Sequence, residues 1–317
     1  MRIKLSSLAV SLLALSACKK AGDYTPVSDT TFRVFETLAS DDMAGRKTGT
    51  EGNIKAREFL LEEAAGLNVF DTLELGRFDF ERSIRNAARE TIGQEALVGY
   101  NIQGLIDTDD GDTGPLLVIT AHFDHLGERD GKIFNGADDN ASGSAALFAI
   151  AEHFKAAPPE HDVLIVWLDA EEMGLSGAKA LLDGKSNFAG RAVFNLNLDM
   201  ISQNEDELYF SGAYHTPTLK PLMTQAGEGM GLTLLFGHDA PEDGGDDWTL
   251  QSDHGVFHRR GIPFGYFGVE DHPHYHQTTD EFDTVPMEFY AKSVRTVVKA
   301  ASLLDENLDE FAKAASE

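Results

Sequence analysis

LLVITAHFDHLG, residues 116–127, is the stretch on which the reading of this chain turns. Residues 116–121 form a largely β-branched apolar run with no charged break, ending at His122. A run that does not alternate with polar residues suits a strand buried on both faces. Two further runs repeat the pattern. VLIVWL (163–168) enters Asp169-Ala170-Glu171-Glu172, and AVFNLNL (192–198) enters Asp199. Residues 98–106 form a fourth short apolar segment. Between these lie helical periods at 53–65 (NIKAREFLLEEAA), at 145–154 and in a short piece at 177–182. Pro286 opens a long last helix whose stripe is Met287, Tyr290, Val294, Val297, Ala301 and Leu304. Strands alternating with helices predict an α/β fold, a mixed, mainly parallel central β-sheet sandwiched between helices.

Such sheets bind ligands beyond the carboxyl ends of their strands. Three successive strands here end in a metal-ligating residue: His122, the Glu171–Glu172 pair and Asp199. Asp124, two residues past His122, is placed to accept the second imidazole N–H and fix its tautomer. The small-residue turn NGADDNASG (135–143) offers Asp138 and Asp139, both eligible by chemistry. Of the neighbouring glutamates, one can bind a metal while the other stays free as a base, the division that amide hydrolysis needs. With His276, the set His122, Asp139, Glu172, Asp199 and His276 supplies the nitrogen and oxygen donors of a zinc pair that shares one Asp.

The chain ends read differently. Residues 1–22 look like a processing signal, with Arg2 and Lys4 before a 13-residue apolar stretch at 5–17. That stretch is shorter than the ~20 residues of a membrane-spanning helix. It closes on Leu15-Ser16-Ala17-Cys18, similar to the lipobox of bacterial lipoproteins, and Cys18 is the single cysteine of the chain. The expected organisation is a lipoprotein signal peptide at 1–17, a lipidated tether at 18–30, a catalytic domain at 31–305 and a fraying polar tail at 306–317. Cys18 would be the only tie to a membrane, and Lys19 after it favours the outer membrane. The 53 acidic against 26 basic residues give a net charge of −27. Such a surface repels nucleic acid and anionic lipid, which excludes both as partners.

AHFDHLG, NGADDNASG, LDAEEMGLSG, NLDM and YHQTTDEFD occur in the order seen in metallopeptidase family 28, which this chain resembles from about residue 30 to 305. The earlier MAGRKTGTEGN (43–53) is similar to the family's N-terminal signature, and residues 67–100 are too few for the protease-associated insert of some members. These are co-catalytic zinc exopeptidases that include bacterial leucyl aminopeptidases. The resemblance implies one zinc on His122, Asp139 and Asp199 and a second on Asp139, Glu172 and His276. It selects Asp139 over Asp138 as the bridge, makes Glu171 the general base and acid, and gives Tyr275 an oxyanion-steadying role. The expected partners are peptide substrates, and a monomer is expected.

His125, His254, His272 and His274 match no ligand position and are expected in loops or behind the site. Ser252-Asp253-His254 resembles a family segment near the substrate pocket, and three consecutive residues cannot form a serine triad in a strand or helix. Ser142 and Ser144 are expected to pack or cap the following helix. Three alternatives accompany the aminopeptidase reading. A carboxypeptidase would need a cation for the free carboxylate, for which Arg259 and Arg260 are candidates. A glutaminyl cyclase-like acyltransferase keeps similar ligands but lacks the GLSG continuation at 174–177. A non-catalytic receptor-like member would have lost ligands that this chain retains.

Overall fold

The computed structural model describes residues 27–85, 90–108, 114–184, 188 and 190–314, so the leader and Cys18 lie outside the described residues. Ser28 accepts the Thr31 N–H to start α1 (Asp29–Leu38), and Thr50 accepts the Asn53 N–H to start α2 (Glu51–Leu67). Next come β1 (Thr72–Arg85) and β2 (Thr91–Ile106), which pair antiparallel along their length. β3 (Leu116–His122) is followed by a small ribbon of β4 (Gly127–Arg129) and β5 (Lys132–Phe134). Then α3 (Gly143–Ala156), β6 (Asp162–Leu168), α4 (Ser176–Asp183) and β7 (Ala192–Leu198) follow. β8 (Glu207–Ser211), α5 (Leu219–Gly227), β9 (Thr233–Phe236), α6 (His254–Arg259) and β10 (Phe264–Gly268) continue the alternation. The chain closes on α7 (Met287–Glu306), α8 (Leu308–Phe311) and β11 (Lys313–Ala314).

The main sheet has the order β1-β2-β6-β3-β7-β10-β8-β9. Its centre, β6-β3-β7-β10, is parallel, while β2 on one side and β8 on the other join antiparallel. The parallel centre explains the unbroken apolar runs. Along β3, Leu117, Ile119 and Ala121 pack toward α3 and α7, whereas Leu116 and Val118 join a second core with Ala178, Leu181 and Phe257 of α4 and α6. Both faces of β3 are therefore buried, which is why its run carries no charge, while the buried Asn195 and Asn197 of β7 are hydrogen-bonded to Val118 O, Thr120 and Ser252.

Two segments depart from the sequence expectations. Residues 72–85, to which the sequence reading assigns no element, form β1, a largely exposed hairpin arm. The polar tail after Asp305 was expected to fray. Instead Leu308 and Phe311 are buried at 0% and 3% exposure, and β11 pairs with β7. Two apolar anchors in a polar segment are enough to dock it.

Candidate active site

The rim above the parallel centre is built from strand ends tied to one another. Phe123 N–H donates to Leu168 O at 2.9 Å, linking the ends of β3 and β6, and Asp199 N–H donates to Phe267 O at 3.1 Å, linking β7 to β10. Glu171 and Glu172 follow β6, Asp139 lies in the turn before α3, and His276 lies in the loop after β10. Ala170, Leu175, Met200 and His276 all take left-handed φ values between 55° and 60°, although none is glycine. Such conformations cost of order 1–3 kcal/mol each and concentrate where the surroundings enforce a functional geometry.

The ligand candidates converge. His122 Nε2 stands 3.4 Å from Asp139 Oδ1 and 3.3 Å from Asp199 Oδ1. His276 Nε2 stands 3.0 Å from Asp139 Oδ2 and 3.5 Å from Glu172 Oε1. The two oxygens of Asp139 thus face two different groups, one on each side. Asp138 is turned away: its Oδ1 accepts Ser202 N–H at 2.6 Å and the Ser202 hydroxyl at 2.7 Å, and its Oδ2 meets His272 Nε2 at 3.0 Å. Asp280 holds this turn by accepting the N–H groups of Asp138 and Asp139, and burial beside Asp138 pushes its carboxyl up to about 7.

Behind Asp199 runs a buried hydrogen-bond chain. Ser252 Oγ donates to Asp199 Oδ2 at 2.6 Å, and Asn197 Nδ2 donates to Ser252 Oγ at 3.0 Å. Thr120 Oγ1 donates to Asn197 Oδ1 at 2.7 Å. Ser252-Asp253-His254 accordingly supports a ligand candidate and forms no triad. Asp124 differs from its expected contact. His122 Nδ1 faces the main-chain carbonyl of Asp124 at 3.1 Å, whereas the carboxylate is 3.7 Å away. A carbonyl only accepts, so Nδ1 carries the proton and Nε2 keeps its lone pair for the cluster. Ser144 Oγ donates to His122 O at 2.7 Å, so it secures the strand end and does not cap α3.

His272 and His274 sit as expected, on Asp138 and on Thr279 Oγ1. His125 does not. It is 1% exposed, and its Nδ1 lies 2.9 Å from Glu172 Oε1 and 3.6 Å from Asp139 Oδ2. The spacing His122-x-x-His125 across a strand end is the sequence signal for it, although His125 matches no ligand position of the family the chain resembles.

The residues present fit a metal pair. Two groups have donor atoms close enough to share an ion, His122 with Asp139 and Asp199, and His125 with Asp139 and Glu172. His125 Nδ1, His125 Nε2 and Glu172 Oε1 are buried without a hydrogen-bond partner, a costly arrangement that a cation between them relieves. Desolvation would raise Glu172, but the neighbouring His125 and His276 hold it far below the usual carboxylate range. Desolvation also drives Glu171 well above that range, and Asp253, Asp199 and Glu172 add to the push against the opposing pull of His122. The neighbouring glutamates therefore part company chemically. Tyr275 stacks on His276 with ring centroids 4.0 Å apart, and burial near Asp139 and Asp199 keeps its phenol protonated. His122, Asp139, Glu171, Glu172, Asp199, Tyr275 and His276 line a cleft of 340 Å³ whose apolar wall is Leu175, Met200 and Leu250, and His125 is buried behind them. A third group, His238 with Asp246 and Glu270, faces solvent outside the cleft lining.

A nitrogen and carboxylate cluster on the carboxyl rim of a parallel sheet defines the class, an α/β protein of the zinc-hydrolase type. Residues 101–301 match the profile of Peptidase family M28, and the chain belongs to that family. Over 187 residues it is 27% identical to Aminopeptidase YwaD of Bacillus subtilis, a match covering 55% of this chain and 37% of that protein. The chain thus spans well under two thirds of that relative's length. Among solved structures, BSAP, a zinc aminopeptidase from Bacillus subtilis, superposes with a TM-score of 0.68 at 16% identity, covering 91% of this chain and 97% of that one. Fimbriiglobus ruber glutaminyl cyclase superposes with a TM-score of 0.66 at 19% identity, covering 88% and 96%. At these identities the likeness is one of fold.

Proposed function

We propose that this protein is a di-zinc aminopeptidase that removes N-terminal residues from peptides. The observation that carries the reading is the division of Asp139, whose Oδ1 faces His122 and whose Oδ2 faces His276. His122, Asp139 and Asp199 would hold one zinc, and Asp139, Glu172 and His276 the other. Zinc bound there supplies Lewis acidity and brings the pKa of water to about 7.

The chain's own groups do the rest. Glu171, the desolvated carboxylate of the pair, takes the proton of water as its oxygen bonds to the peptide carbonyl carbon. It then delivers that proton to the departing amine nitrogen as the C–N bond breaks. Tyr275 O–H faces the same cleft and donates to the developing oxyanion. Leu175, Met200 and Leu250 receive the side chain of the residue removed.

A free N-terminus suits the cleft better than a free carboxylate. Among the described residues lining it none is Arg or Lys, while Glu171, Glu172, Asp139 and Asp199 are all acidic. Arg260 instead pairs with Asp183, and Arg259 is exposed. Metal analysis of the purified protein should return about two zinc per chain. Aminoacyl substrates should be cleaved and N-blocked ones spared. Turnover of blocked peptides alone overturns the aminopeptidase reading, and cyclisation of N-terminal Gln without hydrolysis would replace it with the acyltransferase one. No helix among the described residues is long and apolar enough to cross a membrane, and we propose that a lipid at Cys18 anchors the exported protein to the outer membrane.

A further inference from the structure

Resting on the two-metal reading above, we propose that His125 is itself a ligand, the fourth protein donor of the second metal position beside Asp139, Glu172 and His276. The two metals are then held unequally, one by three side chains and the other by four.

Two side chains here are buried with polar atoms left unsatisfied. His125 is 1% exposed and neither ring nitrogen has a hydrogen-bond partner, and Glu172 Oε1 has none either. The two atoms nonetheless stand 2.9 Å apart, outside hydrogen-bond alignment. With no aligned hydrogen bond between them, a buried ring nitrogen and a carboxylate oxygen at that separation are both left unsatisfied, and a cation held between them would satisfy both. The same Glu172 Oε1 lies 3.5 Å from His276 Nε2, and the same Asp139 Oδ2 lies 3.0 Å from His276 Nε2 and 3.6 Å from His125 Nδ1. Two imidazoles therefore face one shared pair of oxygens, with ring centroids 5.8 Å apart and planes at 53°, which lets both approach without stacking. Two nitrogens and two carboxylate oxygens form a donor set that zinc accepts.

The backbone makes room for this ring. Gly136 has φ +57°, and a Cβ there would stand 2.4 Å from His125 Cδ2 and 2.1 Å from Asp139 O. The turn that carries Asp139 is thus shaped against the face of His125, which ties its position to that of the bridging carboxylate.

Long-range ¹⁵N–¹H correlation of histidine-labelled protein, followed during zinc addition, tests the proposal residue by residue. Three imidazoles, those of His122, His125 and His276, should show a nitrogen in the zinc-bound range, and His125→Gln should lose one of them. In that variant the second equivalent of zinc should also bind roughly 100-fold or more weakly, beyond the 10- to 100-fold typical of residues that only orient a ligand. Only two zinc-bound imidazoles in the unsubstituted protein would overturn the ligand role, whatever the variant does to affinity. Such a result beside weakened zinc binding would make His125 an orienting residue. A protein that takes up no zinc overturns the two-metal reading and His125 with it.

Discussion

Asp124 Oδ1 accepts the backbone N–H of Glu171 at 2.9 Å, and Asp124 Oδ2 accepts that of Glu172 at 3.3 Å. One fully buried carboxylate thus clamps the two neighbouring glutamates whose chemistry diverges. It also carries the rim of β3 across to the rim of β6. Removing it in Asp124→Ala leaves two N–H groups without their acceptor, each worth about 1–3 kcal/mol when buried. Urea unfolding should show a loss of that order, and the variant should lose turnover along with it. A midpoint shift no larger than that of a surface substitution would show the clamp to be idle.

Glu171→Gln keeps the shape and removes the proton carrier. The cleft carboxylates that face the metal positions are untouched, so zinc content should stay at the unsubstituted level. Turnover should fall roughly 10²- to 10⁴-fold, the usual worth of a positioned acid–base group. Full activity with normal zinc would dismiss Glu171 from the reaction. Loss of zinc would instead mean that the roles of Glu171 and Glu172 are reversed.

The strand-end residues were legible in the sequence because a doubly buried parallel strand leaves a distinctive apolar run, and the first polar side chain after it must sit on the rim. His122 and Asp199 come directly from that rule; after β6 it points to Asp169, which accepts from Thr48 and Asn53, and Glu171 and Glu172 follow two and three residues further on. Asp139 over Asp138 was not open to the same rule: the difference lies in Ser202 and His272, which are distant in sequence and capture Asp138. His125 was missed because its neighbours Gly136 and Glu172 come from other segments. The Asp124 contact was misread because a main-chain carbonyl does for His122 what a carboxylate was expected to do. β1 was hidden by its exposure, since an arm with little buried surface carries a charge pattern that reads as loop.

Arg46 is 0% exposed and donates to four main-chain carbonyls: Phe123 at 2.7 Å, Leu38 and Asn135 at 2.5 Å, and Gly136 at 2.9 Å. Two of these segments flank His122 and Asp139, so the guanidinium fastens both halves of the site from below. Burial brings its pKa down to about 10, against the pull of Asp139 and Asp280, and it remains charged at neutral pH. Lysine keeps the charge but lacks the planar fork, and it cannot reach four dispersed acceptors. Arg46→Lys should therefore cost about 3 kcal/mol through stranded buried carbonyls. Thermal unfolding checks this, and an unchanged midpoint would remove Arg46 from the scaffold of the site.

His254 ties stability to pH in a direction that can be worked out. It is fully buried, its Nε2 donates to Trp248 O at 2.9 Å, and its Nδ1 lies 3.5 Å from Asn197 Nδ2. That is the pattern of a neutral ring with one donor and one acceptor, and burial brings its pKa down to about 4. In the unfolded chain a histidine titrates near pH ~6.5. Between about pH 6.5 and 4 the unfolded state therefore binds the extra proton, and stability falls as pH falls. The full effect, roughly 2.5 pKa units at 1.36 kcal/mol each, is about 3 kcal/mol. Asp253 and Asp280 work the other way. Burial pushes each carboxyl up to about 7, so the folded state keeps protons there that the unfolded chain has lost. The raw pH profile mixes these contributions, and the difference between the protein and His254→Gln separates them. That difference in unfolding free energy should be flat above pH ~7 and should shift by about 3 kcal/mol in favour of the variant as pH falls to 4. A difference that stays flat throughout would mean that His254 titrates normally in the fold, and the neutral ring beneath Trp248 would have to be given up.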